Sequence, residues 1–179
     1  VAAYQVAGRL DMLVFLPIFS IAASLTTLVG MFYGAKEFEA LRFTIRYGII
    51  SALIITIFSS ALVYIFADQV VRFFTEDESI VIIAVNFLQI FAFAYPFIAV
   101  GITTGRVLQG LGKGLPVLVI TIVRVLGVSA PLALFFIFIM EKPVEWVWYS
   151  MMLSTVVAFA IGLTWLVSTI KKLPVKKSD

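Results

Sequence analysis

The chain has 179 residues, of which 63% are hydrophobic and only 13% are charged, with a formal net charge of +3 at pH 7. Soluble domains are about 45–50% apolar and about 25% charged, so this composition indicates a membrane protein. The chain contains no cysteine and no histidine, which excludes disulfides, thiol nucleophiles, Cys/His metal sites and His-ligated haem within it. We therefore expect neither a cofactor nor a resident metal.

Five apolar stretches follow one another, and each is about 20 residues or longer, enough to cross a hydrocarbon core roughly 30 Å thick as a helix. They are Ala3–Phe32, Tyr47–Phe66, Ile80–Thr104, Leu115–Met140 and Val147–Ile170. A membrane β-barrel would show shorter segments that alternate apolar and polar residues. The sequence predicts an all-α fold, a polytopic membrane helical bundle over residues 1–170 with a basic tail at residues 171–179.

Basic residues beside the spans predict the orientation, because lysine and arginine collect in short cytoplasmic loops. Most lie in the loops after the first and third spans and in the tail: Lys36, Arg42, Arg46, Arg106, Lys113, Lys171, Lys172, Lys176 and Lys177. The alternate loops hold only Arg72 and Lys142. We expect a multi-pass protein of the plasma (inner) membrane whose start is outside and whose tail is cytoplasmic. We then expect the basic residues to lie beside the lipid bilayer rather than to bind a nucleic acid.

The beginning of the chain favours a further span upstream. Residue 1 is valine, and the first span begins at once, without a polar leader that would start a chain outside the membrane. We expect at least one missing helix that enters from the cytoplasm.

The first span has a polar side and an apolar side at about 100° per residue. The polar side holds Gln5, Arg9, Ser20, Ser24 and Thr27, and the apolar side holds Val14, Ile18, Ile21, Leu25 and Leu28. Membrane helices associate through small residues and a few polar side chains. We expect the polar side to face the bundle.

Three other spans also show small or polar faces. They are Gly48, Ala52 and Ser59 in the second span, Asn86, Gln89, Pro96, Val100 and Thr104 in the third, and Thr155, Ala158 and Gly162 in the fifth. Small residues at these spacings favour helix packing. For Asn86 and Gln89 two interpretations remain, the lining of a substrate cavity and hydrogen bonding between helices.

Charged side chains inside the spans are candidates for function because they are costly in a bilayer. Asp11 is the only membrane-embedded acid, roughly 12 Å inside its helix, and is a candidate for substrate or proton binding or for pairing with an arginine. Arg9 and Arg124 are interpreted as structural charges. Arg124 either reaches back to the cytoplasmic headgroups or, on a face shared with Thr121, Gly127 and Pro131, points into the bundle and holds one conformation.

Prolines within three spans predict helix kinks. Pro17, Pro96 and Pro131 each remove a backbone hydrogen bond, and such breaks are tolerated where neighbours or water satisfy the freed carbonyls. Kinked helices with polar inner faces favour a water-accessible cleft and moving parts. The alternative is that membrane helices are simply rich in proline and glycine.

Several motifs follow one another over nearly the whole chain. They are "AAYQVAGRLD", the proline at Pro17, "LVGMFYGAK", "FFTEDESI", "VLQGLGKGLP" and "VRVLGVSAPLA". This ordered set resembles the carboxyl-terminal lobe of the multidrug and toxic compound extrusion (MATE) transporters. The resemblance implies that the chain corresponds to helices eight to twelve of a twelve-helix protein, five transmembrane helices of a six-helix lobe, with the amino-terminal lobe of the same protein as its partner.

The resemblance also implies a function. MATE transporters are antiporters, not enzymes, that export lipophilic, mostly cationic drugs in exchange for H⁺ or Na⁺ by alternating access between two lobes. Family members carry coupling carboxylates in the amino-terminal lobe and, in some, on the helix corresponding to Ile80–Thr104, which has no acid here. Two alternatives remain, a flippase for lipid-linked saccharides and a non-transporting membrane scaffold subunit.

Overall fold

Five long helices form the bundle. The computed structural model describes residues 2–141, 143 and 145–174, without the side chains of residues 2–7, 10 and 145. The helices are α1 (Ala2–Gly34), α2 (Phe38–Phe74), α3 (Glu78–Gly110), α4 (Leu115–Ile139) and α5 (Glu145–Lys171). Each contains a stretch long and apolar enough to cross a membrane. The predicted all-α, five-span bundle is confirmed.

The helices extend further than the predicted spans, most of all at α2. The predicted basic loop from Gly34 to Arg46 is helical from Phe38 onward, so Arg42 and Arg46 lie on α2 rather than in a loop. The 37 residues of α2 reach roughly 55 Å at 1.5 Å per residue. A bilayer with its headgroups is about 40–45 Å thick, so helical hydrogen bonding continues after the chain has left the apolar core.

Helix α3 lies at the centre of the bundle and packs against α1, α2 and α5. Its buried residues recur around its whole circumference, whereas α4 buries only Pro116. One buried apolar cluster joins four helices and contains Leu25, Val29, Leu41, Ile45, Val107, Leu108, Leu111 and Leu166. A second cluster joins α2 to the first turns of α3. The core therefore follows α3 from one end to the other.

Helices α1 and α3 approach most closely near the end of α3. A Cβ atom placed on Gly110 would lie 2.7 Å from the carbonyl oxygen of Thr26 and 3.0 Å from the Cβ of Val29. The Thr26 hydroxyl also lies 3.4 Å from the carbonyl oxygen of Arg106, to which it donates. This crossing depends on the missing side chain at Gly110, as is usual where membrane helices touch through backbone.

The prediction that the polar side of α1 faces the bundle is wrong for its described residues. Val14, Ile18 and Leu25 are buried against the other helices. The polar positions Arg9, Ser20, Ser24 and Thr27 are exposed instead. The physical reason is that the serine hydroxyls donate within α1, from Ser20 to the Leu16 carbonyl at 3.1 Å and from Ser24 to the Ser20 carbonyl at 3.0 Å. They need no partner on another helix.

Two of the three residues of the predicted small-residue face of α2 pack as expected, while Ser59 is partly buried. Gly48 and Ala52 are buried, and a Cβ on Gly48 would lie 2.5 Å from a methyl carbon of Leu25 on α1. On α5, Gly162 and Thr155 are buried. A Cβ on Gly162 would lie 3.6 Å from the Thr104 methyl group of α3. These faces let neighbouring helices approach closely.

Helix α4 changes its hydrogen-bonding pattern along its length. It is α-helical at Leu115–Ile122 and π-helical at Val123–Ser129 and again at Phe135–Ile139. The amide of Ala130 donates to the carbonyl of Val125, five residues earlier. Of the three predicted kink sites, Pro131 lies two residues after the end of the first π segment, whereas helix α1 runs on through Pro17 and α3 through Pro96.

The turn between α2 and α3 is held by charged and polar side chains. Arg72 donates to Asp68 at 2.9 Å and to the two carboxylate oxygens of Glu78 at 2.6 and 3.2 Å. Asp77 caps α3 by accepting from the amide and hydroxyl of Ser79 at 3.0 and 2.6 Å. These hydrogen bonds stabilise the carboxylate and lower the pKa of Asp77. The turn fixes the start of the central helix.

Candidate functional site

A cavity of about 350 Å³ lies between α1, α3, α4 and α5, and we call it the central cavity. Gly101 and Gly105 on α3 and Gly162 on α5 line it. No atom would lie within 4 Å of a Cβ on Gly101. The absence of side chains at these positions leaves space between helices that otherwise pack closely, and the volume is within the range of small-molecule sites, about 300–1,000 Å³.

Aromatic rings form the apolar part of the central cavity. Phe19 reaches it from α1, Phe97 from α3 and Phe159 from α5. The rings of Phe97 and Phe159 meet edge to face, with centroids 5.3 Å apart. Such rings offer a large apolar surface of defined geometry to a lipophilic ligand.

Two arginines form the charged part of the central cavity. Arg124 lines it from the first π segment of α4, and Arg106 lines it from the last turns of α3. Arg106 donates to the amide oxygen of Gln109 at 3.3 Å. Arg124 was singled out from the sequence, whereas Arg106 was counted only as a loop charge. Arg106 was missed because the predicted span ends at Thr104. Helix α3 continues to Gly110 and so places Arg106 on the cavity wall.

A second cavity, of about 500 Å³, lies between α2, α3 and α5. Asn86 and Gln89 line it together with the rings of Tyr64, Phe93 and Tyr149. The structure thus places both amides on a cavity wall. The described lining of the second cavity combines these amides with two tyrosines, whereas that of the central cavity combines arginines with phenylalanines, so the two cavities differ in chemistry.

Asp11 lies on α1, at the contact of this helix with α3, and is partly buried. Its carboxylate accepts a hydrogen bond from the hydroxyl of Tyr95, a fully buried residue of α3. The ring of Phe15 packs edge to face on Tyr95, with centroids 5.3 Å apart. The hydrogen-bond partner of Asp11 in the described structure is therefore a tyrosine, and not the arginine considered from the sequence. Tyr95 was missed because 84 residues separate the pair.

The remaining site candidates lie apart from the central cavity. Arg9 is exposed on α1, and the side chain of Gln5 lies outside the described residues. Pro17 is exposed and Pro96 partly buried. The structure thus brings Arg124 to the central cavity, Asn86 and Gln89 to the second cavity and Asp11 to the α1–α3 contact.

Membrane helices with a cavity of mixed polarity between them are a common arrangement in membrane transporters. The MatE family model matches residues 1–135, and the chain belongs to this family of multidrug efflux transporters.

Relatives of known sequence are longer than this chain. The probable multidrug resistance protein NorM of Thermotoga maritima is 29% identical over 141 residues, which cover 79% of this chain and 30% of that protein. NorM of Bacillus cereus is 26% identical over 170 residues, which cover 93% of this chain and 36% of that protein. The chain spans about a third of the length of these relatives.

Solved transporter structures share the fold. A crystal structure of MATE in the bent conformation superposes with a TM-score of 0.88 at 29% identity, covering 97% of this chain and 38% of that protein. A MATE family transporter in an outward-facing conformation gives a TM-score of 0.86 at 28% identity, with coverage of 96% and 39%. A MOP superfamily transporter from Pyrococcus furiosus, described as having a binding pocket of reverse polarity that suggests a different function, gives 0.88 at 29% identity, with coverage of 99% and 40%.

Proposed function

We propose that the full-length protein is a secondary active antiporter that exports lipophilic, mostly cationic organic compounds in exchange for H⁺ or Na⁺. The observation that carries this proposal is the match of one lobe to transporters in two states. The outward-facing structure gives a TM-score of 0.86, and an inward-facing MATE family transporter gives 0.85 at 26% identity, covering 98% of this chain and 41% of that protein.

Equal similarity to both states supports alternating access by movement of whole lobes. If the lobe itself refolded between the states, one state would resemble this chain much better than the other. Buried clusters along α3 tie α1, α2 and α5 into one unit, and packed units move by hinge or shear rather than by continuous deformation. The amino-terminal lobe is then the partner against which this lobe moves.

The proposed orientation follows from charge. The described loops after α1 and α3 carry the lysines Lys36 and Lys113, the first beside Glu37, whereas the loop after α2 at residues 75–77 carries two acids and neither lysine nor arginine. Basic loops lie on the cytoplasmic side. We place the first and third loops and the tail in the cytoplasm of a plasma membrane protein.

Asp11 is the coupling candidate in this lobe. A carboxylate within a span is costly unless it is paired, hydrated or protonated, which makes it a candidate for binding the coupling ion. The Tyr95 hydroxyl stabilises the charged form. Coupling carboxylates of the amino-terminal lobe remain the stronger candidates, so Asp11 tunes rather than creates the coupling.

A flippase for a lipid-linked anion is the second candidate. It is favoured by the two arginines of the central cavity and by the similarity to the Pyrococcus furiosus transporter with its pocket of reverse polarity. Arginine binds phosphate through paired hydrogen bonds. The scaffold alternative has no comparable support, because a scaffold does not need a cavity.

The test is uptake into liposomes that contain the purified full-length protein. A fluorescent lipophilic cation, ethidium, is added under an imposed pH gradient, an imposed Na⁺ gradient or neither. Accumulation that needs one gradient and stops when an ionophore abolishes it is the expected result. Equal movement with no gradient, or none under either gradient, would overturn the antiport proposal.

A further inference from the structure

We propose that the central cavity binds the anionic group of a lipophilic ligand, with Arg124 and Arg106 as the binding residues. This inference names a class of ligand for the cavity. It rests on the proposed function in one respect, namely that a transporter lets ligands from outside enter the cavity. It concerns this cavity alone, where the two arginines would repel the cationic compounds of the proposed function.

Arg124 is available for a ligand. Its side chain lines the central cavity, and within the described part of the chain no hydrogen bond or ion pair reaches its guanidinium. An arginine within a span is costly unless it meets water, an anion or a backbone carbonyl. An arginine that lines a cavity and lacks a protein partner therefore favours binding an anion there.

The local backbone supports this interpretation. Arg124 lies in the π segment Val123–Ser129, and π segments within α-helices occur frequently at functional sites. Pro131, two residues beyond the end of this segment, has no amide to donate to the preceding turn. The helix thus departs from regular α geometry where it carries its charge.

Arg106 adds a second positive charge and several free hydrogen-bond donors. One of its terminal nitrogens donates to Gln109, which leaves most of the five guanidinium N–H donors free. No aspartate or glutamate is among the described residues that line the central cavity. Both guanidinium groups line the same cavity, so an anion bound there can meet either positive charge.

The two threonine hydroxyls of the cavity do not compete with the arginines, and the side chain of Gln109, which also lines the cavity, carries no charge. The hydroxyl of Thr121 donates to the carbonyl of Val117 at 2.9 Å, and that of Thr155 donates to the carbonyl of Met151 at 2.9 Å. Their hydrogens are already used within their own helices, so the arginines are the charged donors that remain for a ligand.

The rest of the wall determines the other half of the ligand. Phe19, Phe97 and Phe159 present aromatic surface to the same cavity. An apolar body fits against these rings, while a sulfonate, phosphate or carboxylate meets the guanidinium groups. The ligand class is therefore an amphiphilic anion, either a lipid headgroup with its chain or a soluble lipophilic acid.

The experiment measures binding without any ion gradient. Anilinonaphthalene sulfonate, a fluorescent lipophilic anion, is titrated into the full-length protein in phosphatidylcholine nanodiscs, with empty nanodiscs as the blank. Tetraphenylborate and tetraphenylphosphonium, which have the same shape and opposite charge, are then added as competitors. We expect the borate to displace the protein-bound probe at a concentration at least tenfold lower than the phosphonium, after both concentrations are corrected for partitioning into empty nanodiscs. Equal displacement by both ions would overturn the proposal even if no variant could be purified.

Variants connect the binding to the cavity. We expect Arg124→Gln to weaken probe binding by about tenfold or more, the usual effect of losing a charged hydrogen-bond partner, and Arg124→Lys to weaken it less. Arg46→Gln removes an exposed arginine of α2 outside the cavity and should leave binding unchanged. Equal loss in Arg46→Gln, or no loss in Arg124→Gln with normal thermal stability, would contradict the assignment.

Nanodiscs that contain phosphatidylglycerol distinguish the two sources of the anion. If a lipid headgroup occupies the cavity, this lipid weakens probe binding in the unmodified protein and not in Arg124→Gln. If a soluble acid is the ligand, the lipid changes probe binding by the same factor in both proteins, and the borate remains the better competitor. Cation uptake is measured separately, so a failure of the antiport proposal leaves this binding result independent.

Discussion

The close crossing of α1 and α3 predicts a large effect for the substitution Gly110→Ala. The new methyl group would lie 2.7 Å from the carbonyl oxygen of Thr26 and 3.0 Å from Val29. Because the nearest atom belongs to the backbone of another helix, it cannot move away by a side-chain rotation. The two helices have to separate, which loosens the buried cluster beside the crossing.

The loss of stability caused by Gly110→Ala is estimated by comparison with Gly101→Ala on the same helix. No atom lies within 4 Å of the new Cβ at Gly101. Alanine improves helix propensity by about 0.8–1 kcal/mol in a helix interior such as that around Gly101, whereas Gly110 is the last residue of α3 and gains at most this amount. The difference between the variants therefore reports the clash together with at most this difference in propensity. Overpacking costs about 1–3 kcal/mol, and a backbone clash belongs to the upper half, about 2–3 kcal/mol. This corresponds to about 30- to 150-fold in the unfolding equilibrium constant.

The assay is the free energy of unfolding of the full-length protein in mild-detergent micelles, titrated with a denaturing detergent and followed by circular dichroism. We expect Gly101→Ala to be at least as stable as the unmodified protein and Gly110→Ala to be clearly less stable. If the two variants agreed within about 0.5 kcal/mol, the usual error of such comparisons, helices α1 and α3 would not meet through Gly110.

Three further predictions concern orientation, coupling and pH. Single cysteines at Lys36 and Asp77 should react with a membrane-impermeant thiol reagent from opposite faces of intact membranes, and labelling of both from one face would refute the orientation. Asp11→Asn should weaken transport without abolishing it, with Tyr95→Phe as the control that keeps the ring; complete loss at normal membrane abundance would move the ion site to Asp11. The lowered pKa of Asp77 means that its cap stabilises the first turn of α3 fully above the usual aspartate pKa of about 3.9 and is lost as the pH falls through the lower folded value. Amide exchange at Ser79, corrected for the intrinsic rate, should therefore accelerate on acidification in the unmodified protein and not in Asp77→Asn.

The number and order of the helices could be predicted because hydropathy and length act locally along the chain. The ends of the helices could not, since hydropathy reports where the chain leaves the apolar core and not where hydrogen bonding stops. Arg42, Arg46 and Arg106 were therefore expected in loops and lie on helices. For Arg106 this difference has a functional consequence, because a helical position brings it to the central cavity.

The contact between Asp11 and Tyr95 illustrates a second limit. Helical periodicity assigns each residue to a face of its own helix, but it does not say which neighbour covers that face or at which height. The sequence identified the cost of a carboxylate within a span and so the need for a partner. Only the packing of α1 on α3 shows that a tyrosine hydroxyl supplies it.

The predicted face of α2 packs against another helix, whereas the predicted polar face of α1 is exposed. The two faces differ in whether their side chains contain hydrogen-bonding groups that need a partner. A glycine such as Gly48 has nothing to satisfy and gains contact only if another helix approaches, so burial against Leu25 is the outcome that favours packing. A serine such as Ser20 or Ser24 can satisfy its hydroxyl on its own helix, after which it has no need of a neighbour and can face lipid or a water-filled space. A missing side chain is therefore the stronger indicator of helix contact in a membrane span, and a short hydroxyl side chain is a weak one.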